Sequence, residues 1–152
     1  MIWLTCENLL GHIKIMLISV HGVKLPNKPL SNLEISDAVK KLQIPSFRGV
    51  FVRDMLPSRP NKNESGILNL DQSSGDGTHW TAWYRRNNKN FYFDSYGIQP
   101  PRELERYLNG KIFYNTERVQ PRGEVFCGHL CLYVLKQLSL GYHLQEIINK
   151  LH

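Results

Sequence analysis

The strongest hydrophobic pattern in the chain lies in its last quarter. Apolar residues recur there at positions i, i+3, i+4, i+7, i+8 and i+11, namely Cys127, Leu130, Cys131, Val134, Leu135 and Leu138. This spacing predicts an amphipathic helix that turns one face to the core. Gly141 is a suitable C-terminal stop for that helix, and a shorter amphipathic helix is expected at Leu144–Leu151.

Two further helices are indicated earlier in the chain. Either Ser31 or Asn32 is a suitable N-cap for a helix over Leu33–Leu42, because their side chains accept hydrogen bonds from unpaired backbone N–H groups. Arg102–Leu108 has the composition of a second helix, which Asn109-Gly110 would end.

The middle of the chain has the pattern of β-structure. Gly66–Asp71 alternates like a short strand. Thr78–Tyr84 and Asn90–Phe93 are rich in aromatic and β-prone residues, and the polar segment Arg86–Lys89 between them predicts a hairpin. Another strand is expected at Lys111–Asn115. The order of these elements predicts an α+β fold, with a small mixed or antiparallel sheet packed against the long C-terminal helix.

No repeat or low-complexity tract divides the chain, and its 152 residues are the size of one domain. Residues 31–152 are expected to form that domain, and residues 1–30 are expected to be an N-terminal extension of uncertain role. Val50–Asn63 is expected to be a polar, proline-containing connection. No transmembrane helix is expected, because Lys14 interrupts the apolar stretch Ile13–Val20, which is far shorter than the ~20 residues that span a bilayer.

Charge and cysteine content narrow the classes of partner and compartment. The chain has 19 Lys and Arg against 13 Asp and Glu, a net charge of +6, so a polyanion is the first partner to consider. Charge alone does not distinguish nucleic acid from an anionic membrane face. Cys6, Cys127 and Cys131 are few and odd in number, which argues against a secreted disulfide scaffold and favours a reducing compartment.

Cys127 occupies a position where a thiol gains reactivity. It lies in the predicted first turn of the long helix, where unpaired backbone N–H groups and the helix dipole favour a thiolate. Taken alone, a cysteine at such a position is more often the first apolar residue of a core stripe. Cys131, one turn further along the same face, is expected to be a core residue.

Three other residues are predicted to act with Cys127 in catalysis. The predicted hairpin brings His79, at the start of one strand, beside Asp94, at the end of its partner. Asp94 would orient the imidazole and His79 would take the thiol proton, as covalent acyl transfer requires. Gln120 would add a side-chain N–H to the backbone N–H of Cys127 in an oxyanion hole. Each could be structural when taken singly, so their joint occurrence carries the hypothesis.

Four segments occur in a fixed order along the chain: Gly77–Trp83, Tyr92–Gly97, Gln120 and Phe126–Cys131. They resemble the motifs of the adenovirus-type processing proteases (adenain), in the cysteine-protease clan shared with the SUMO-deconjugating proteases. In its motifs and short length, the chain resembles proteases of small DNA viruses and Polinton-like elements. The resemblance covers roughly residues 33–140. Adenovirus enzymes carry Glu at the position of Asp94, whereas SUMO proteases carry Asp.

The resemblance implies a thiol endopeptidase, a hydrolase that cleaves after small residues of Gly-Gly type and matures viral capsid or core precursor proteins. It implies His79, Asp94 and Cys127 as the catalytic residues, Gln120 in the oxyanion hole and Trp80 in the wall of the substrate cleft. Residues 71–77 would border the substrate entrance. The mechanism requires no metal or organic cofactor, and activation by DNA or a viral peptide is compatible with it, although the cysteine that binds adenain's peptide cofactor has no evident counterpart. An intracellular location, in the host nucleus or the virion, is implied, with DNA as a partner and no membrane.

Other functions remain open on the sequence. The same clan includes enzymes that remove ubiquitin-like modifiers and enzymes that transfer acetyl groups. A basic nucleic-acid-binding module, in which the triad residues are structural, is the non-enzymatic alternative. A zinc site is disfavoured because Cys127, His129 and Cys131 have no second paired cluster, and positions 127 and 129 face different sides of a helix.

Overall fold

A mixed five-stranded β-sheet forms the centre of the protein. The computed structural model describes residues 18–71, 79–120 and 125–152. The strands in these parts of the chain are β1 (Ser19–Val20), β2 (Val23–Lys24), β3 (Phe47–Val52), β4 (Glu64–Asn69), β5 (Trp80–Arg86), β6 (Lys89–Phe93) and β7 (Ile112–Tyr114). The sheet order is β3-β4-β5-β6-β7, and β1 and β2 form a separate antiparallel ribbon. The inner strands pair antiparallel, whereas each edge strand pairs parallel to its neighbour.

Helices cover both faces of this sheet. They are α1 (Asn32–Leu42), α2 (Arg102–Leu108), α3 (Cys127–Ser139) and α4 (Leu144–Lys150). One hydrophobic cluster joins α1, α3 and α4 to the sheet, and a second cluster joins α2 to the opposite face. Alternate residues of β5 enter opposite clusters, because successive side chains of a strand point to opposite faces. The α+β class is therefore confirmed, with a mixed sheet packed against a long helix that begins at Cys127. No helix in these described ranges is long and apolar enough to cross a bilayer.

The structure shows which of the two candidate residues, Ser31 or Asn32, caps the start of α1. Ser31 is the N-cap: its hydroxyl accepts the N–H of Glu34 at 3.2 Å, and the Glu34 carboxylate accepts the N–H of Ser31 at 3.1 Å. This reciprocal pair is a capping box, and a side-chain N-cap of this kind is worth about 1 kcal/mol. Gln43 then ends the helix in the left-handed conformation, two residues before Pro45.

The β5–β6 hairpin sets the geometry of the candidate site. Asn87 and Asn88 connect the strands and both have positive φ, at 51° and 63°. Two such residues form the turn that matches the twist of a hairpin, and asparagine tolerates this conformation well. Ala82 pairs with Phe93 in this register, which, continued beyond the strands, places His79 opposite Tyr96.

The prediction that Val50–Asn63 is a connection without regular structure is wrong for residues 50–52, because β3 continues to Val52. This strand pairs in parallel with β4, Val50 opposite Ile67, so its backbone partners come from a segment distant in sequence. All six residues of β3 are half-buried, which gives the strand no alternation of apolar and polar positions.

The next strand, β4, also begins earlier than its pattern predicts, at the charged residue Glu64. All six of its residues are buried. The Glu64 carboxylate is satisfied inside the protein: one oxygen accepts from Tyr107 at 2.6 Å and Trp83 at 3.2 Å, and the other accepts from Arg48 at 3.1 Å. A buried charge of this kind depends on partners from three other elements, and local sequence does not reveal them.

Residues 18–30 contribute directly to the main hydrophobic cluster. Val20, Leu25 and Leu30 are buried in it, and the carbonyl of Pro26 contacts His129 of α3. Residues 1–17 lie outside the described residues, and a domain division at residue 30 stays a prediction.

Candidate active site

His79 and Asp94 form a buried pair at one end of the β5–β6 hairpin. The Nε2 atom of His79 lies 2.8 Å from Oδ1 of Asp94. The Asp94 side chain is fully buried and that of His79 is 11% exposed. The same Oδ1 accepts the backbone N–H of Tyr96 at 2.8 Å. The carboxylate therefore holds one ring nitrogen of His79 and leaves Nδ1 for another partner.

Cys127, the first residue of α3, interacts with the His79 imidazole as well. Burial acts to lower the pKa of His79, but hydrogen bonds to Asp94 and Cys127, and the charges of these two groups, outweigh it and raise the pKa from 6.5 to about 9. An imidazole that keeps its proton at neutral pH stabilises a thiolate beside it. The helix N-terminus adds to this effect. His79, Asp94 and Cys127 are thus brought together as the sequence predicts.

Tyr96 is a residue of this cluster that the sequence interpretation missed. Its ring stacks on the His79 imidazole with 4.4 Å between centroids and 11° between planes. The Arg118 guanidinium lies over the Tyr96 ring, 4.8 Å from its centroid. The register of the hairpin could have indicated the contact between Tyr96 and His79, because it places these two residues opposite each other. The stack restricts rotation of the imidazole about the position that Asp94 sets.

Gln120 is held against the residue that follows Asp94. It is buried, and its Oε1 accepts a hydrogen bond from the Ser95 hydroxyl at 2.6 Å. Its backbone N–H donates to the Ser95 carbonyl at 3.1 Å. These bonds bring Gln120 to the same end of the sheet as His79 and Asp94. Residues 121–124, which connect it toward Cys127, lie outside the described residues.

Asn115 is a second residue that sequence reasoning missed. Its Oδ1 accepts the backbone N–H of Asp94 at 3.1 Å, and its Nδ2 donates to the Asp94 carbonyl at 2.7 Å. It lies just beyond β7 and is buried. An asparagine that ends a predicted strand is usually interpreted as a turn former, so no local signal marks this role.

Trp80 lies between the candidate catalytic residues and an open groove. Its indole N–H donates to the Leu30 carbonyl at 2.9 Å. A Cβ on Gly128 would lie 3.3 Å from Cδ1 of Trp80, so the ring lies against the first turn of α3. The groove has a volume of about 600 Å³ and is lined by Leu30, Ser31, Asn32, Val50, Phe51, Val52, Met55, Asn69 and Trp80. Except for Asp71, the residues expected at the substrate entrance lie outside the described residues.

Cys131 and His129 are structural residues of α3. Burial raises the pKa of Cys131 well above its usual value, and the negative charges of Cys127 and Asp94 add to the effect. The prediction that Cys131 is a core residue is confirmed by its complete burial. Burial also lowers the pKa of His129, whose Nε2 lies 2.7 Å from the Pro26 carbonyl oxygen. Across residues 18–71, 79–120 and 125–152, no three His, Cys, Asp or Glu side chains are grouped as metal ligands.

The chain shares its fold with a protease of known structure. The selenomethionine form of the ASFV pS273R protease matches with a TM-score of 0.59 at 18% identity, over 81% of this chain and 62% of that chain. A second structure of the ASFV pS273R protease matches with a TM-score of 0.55 at 16% identity and the same coverage. No protein-family model matches the chain, and no curated protein matches it. The chain spans 62% of the length of the ASFV pS273R protease and has its fold over most of its own residues.

Proposed function

We propose that this protein is a cysteine endopeptidase of the adenain type. The observation that carries the proposal is the buried His79–Asp94 pair, 2.8 Å apart, with His79 hydrogen-bonded to Cys127 at the N-terminus of α3. A nucleophile, a base and a residue that orients the base are what covalent acyl transfer requires. The fold shared with the ASFV pS273R protease supports the same conclusion.

The geometry accounts for each step of peptide hydrolysis. The Cys127 sulfur attacks the carbonyl carbon, and the electron pair of the C=O bond moves to the oxygen. As this tetrahedral intermediate collapses, the C–N bond breaks and His79 gives its proton to the leaving amine. Water then attacks the thioester while His79 takes its proton, and the C–S bond breaks to release the acid. His79 keeps the proton taken from water, and the sulfur leaves as a thiolate with the electron pair of the C–S bond, so the starting ion pair is restored.

Oxyanion stabilisation and base orientation fall to two buried side chains. Gln120, with the backbone N–H of Cys127, would donate to the oxyanion of the intermediate, and loss of one such donor costs about 100-fold to 1,000-fold in rate. Asp94 holds Nε2 of His79, which leaves Nδ1 to exchange a proton with Cys127. No step in this mechanism requires a metal or an organic cofactor.

The substrate proposal rests on the groove beside Trp80. Its apolar lining suits an extended peptide segment that places an apolar side chain in the groove and small, Gly-Gly-like residues at the scissile bond. Viral capsid or core precursor proteins are the proposed substrates, in the host nucleus or the virion. The net charge of +6 supports DNA as a partner, and an affinity that falls steeply with salt is expected.

The first test is cleavage of a Gly-Gly peptide and of a capsid precursor by Cys127→Ala. Hydrolysis should disappear, because no other described residue supplies the nucleophile of this mechanism. Cys131→Ala is the matched control: it removes a buried thiol one helical turn away and should keep most of the activity. Cleavage by Cys127→Ala would contradict the proposal. Labelling of Cys127 by a vinyl probe built on a ubiquitin-like modifier, without peptide cleavage, would favour modifier removal instead.

A further inference from the structure

Ser95 and Gln120 are joined by a side-chain hydrogen bond and a backbone hydrogen bond. The Ser95 hydroxyl donates to Oε1 of Gln120 at 2.6 Å, and both side chains are buried. The Ser95 carbonyl accepts two further bonds from the same segment, from the N–H of Val119 at 2.9 Å and of Gln120 at 3.1 Å. The backbone and the side chain of Ser95 therefore both hold the segment that carries Gln120.

The direction of the side-chain bond matters for an oxyanion hole. A glutamine amide has an accepting oxygen and a donating nitrogen at nearly equal distances from its carbon chain, and only the nitrogen stabilises an oxyanion. A hydroxyl that donates to Oε1 fixes which end of the amide is held. We propose that Ser95 is a positioning residue that holds Oε1 of Gln120 and so directs its Nε2 toward the reacting carbonyl. This inference rests on the proposed endopeptidase function.

The position of Ser95 in the chain couples two parts of the site. It follows Asp94 directly, so consecutive residues place the carboxylate that orients His79 and the amide proposed for the oxyanion hole. Gly97, two residues further on, has φ +71°, and a Cβ there would overlap the Thr116 carbonyl. The turn after β6 is thereby packed tightly on the 115–120 segment. Such preorganisation is what an oxyanion donor needs, because a donor held in place does not reorganise during the reaction.

The test measures kcat and KM for a Gly-Gly peptide in Ser95→Ala. We expect kcat to fall about tenfold to 100-fold, somewhat less than for Gln120→Ala, with KM nearly unchanged, because the affected interaction is made in the transition state. The double variant should be no slower than Gln120→Ala alone, since Ser95 acts only through that residue. Ser95→Thr keeps the hydroxyl and should restore most of kcat. Ser95→Cys, nearly isosteric with a weaker donor, should be intermediate.

Two controls separate positioning from a general loss of structure. Ser65→Ala removes the hydroxyl of another fully buried serine, which has no hydrogen-bond partner in the described residues, and it should leave kcat unchanged. The rate at which iodoacetamide alkylates Cys127 reports the thiolate and not the oxyanion hole. That rate should be equal in the unaltered protein and in Ser95→Ala.

Several outcomes would overturn the inference. An undiminished kcat in both Ser95→Ala and Ser95→Cys would contradict the positioning role of Ser95. Additive losses of kcat in the double variant of Ser95 and Gln120 would contradict it as well. Neither result would contradict the proposed function. A matching loss of alkylation would show a structural role for Ser95. Absence of peptide hydrolysis by the unaltered protein would instead overturn the proposed function, and this inference with it.

Discussion

The side chain of Asn115 brackets the backbone of Asp94. It accepts the Asp94 N–H at 3.1 Å and donates to the Asp94 carbonyl at 2.7 Å. The residue that orients His79 is therefore fixed from two directions: its carboxylate is held by His79 and Tyr96, and its backbone by a residue 21 positions later.

Replacement of Asn115 should affect both stability and catalysis. Asn115→Ala leaves two buried backbone groups of Asp94 without this partner, so the free energy of unfolding should fall by about 1–3 kcal/mol. Peptide hydrolysis should slow as well, because Asp94 loses its fixed position. Urea unfolding and kcat measure the two effects. Asn149→Ala, at an exposed position of α4, is the control and should change stability by no more than about 0.5 kcal/mol. Equal stability of the two variants would contradict the role of Asn115.

The pH dependence of activity should report the proton on His79. Its raised pKa means that the imidazolium persists to about pH 9, so kcat/KM should fall as the pH rises through about 9. Asp94→Asn removes a hydrogen-bonded negative charge that raises this pKa, and the alkaline limb should therefore move to lower pH. Asp37→Asn is the matched control, because Asp37 is an exposed partner of Lys41 on α1. An alkaline limb at the same pH in Asp94→Asn and the unaltered protein would contradict the assignment.

His129 should make the fold less stable in acid. Burial lowers its pKa in the folded protein below the ordinary 6.5, so the unfolded chain binds the proton more readily. Above pH 6.5, the neutral form of His129 makes its full contribution to the free energy of unfolding. That contribution is lost as the pH falls from 6.5 through the lower pKa of the folded protein. The raised pKa of His79 acts in the opposite direction over this window, so the test compares variants. Between pH 7.5 and pH 5, the free energy of unfolding of His129→Gln, measured in urea, should shift toward greater stability relative to that of the unaltered protein. His143→Gln, at an exposed position, should keep the full pH dependence; a similar shift in both variants would exclude His129 as the cause.

The groove beside Trp80 should contribute to substrate binding more than to chemistry. Met55 lines the groove and is 62% exposed, so a charge at this position is tolerated by the fold. Met55→Asp should raise KM about tenfold for a substrate with an apolar residue before Gly-Gly, with kcat nearly unchanged, because loss of ~1–2 kcal/mol of apolar contact corresponds to about that factor. Leu140→Asp changes a similarly exposed apolar residue outside the groove and should leave KM unaltered. An unchanged KM in Met55→Asp would place the substrate elsewhere.

The sequence by itself determines the elements whose signals are local. Helix α2 has the predicted bounds, Arg102–Leu108, because its stop residue Asn109 follows it directly and ends it in the left-handed conformation. Helix α3 begins at Cys127, where its apolar period begins. The β5–β6 hairpin follows from its strand composition, and antiparallel pairing alone implies that His79 and Asp94 meet. Each of these features depends on residues close together in the chain.

Only the tertiary structure decides how polar groups are satisfied inside the protein. Glu64 occupies a buried strand because Arg48, Trp83 and Tyr107 hydrogen-bond to it, and nothing near it in sequence announces these partners. Asn115 and Ser95 likewise become positioning groups through segments some 20 or more residues away. Hydrophobic periodicity records which face of an element is buried, whereas a hydrogen bond between distant segments requires a distance and an angle that exist only after the chain has folded.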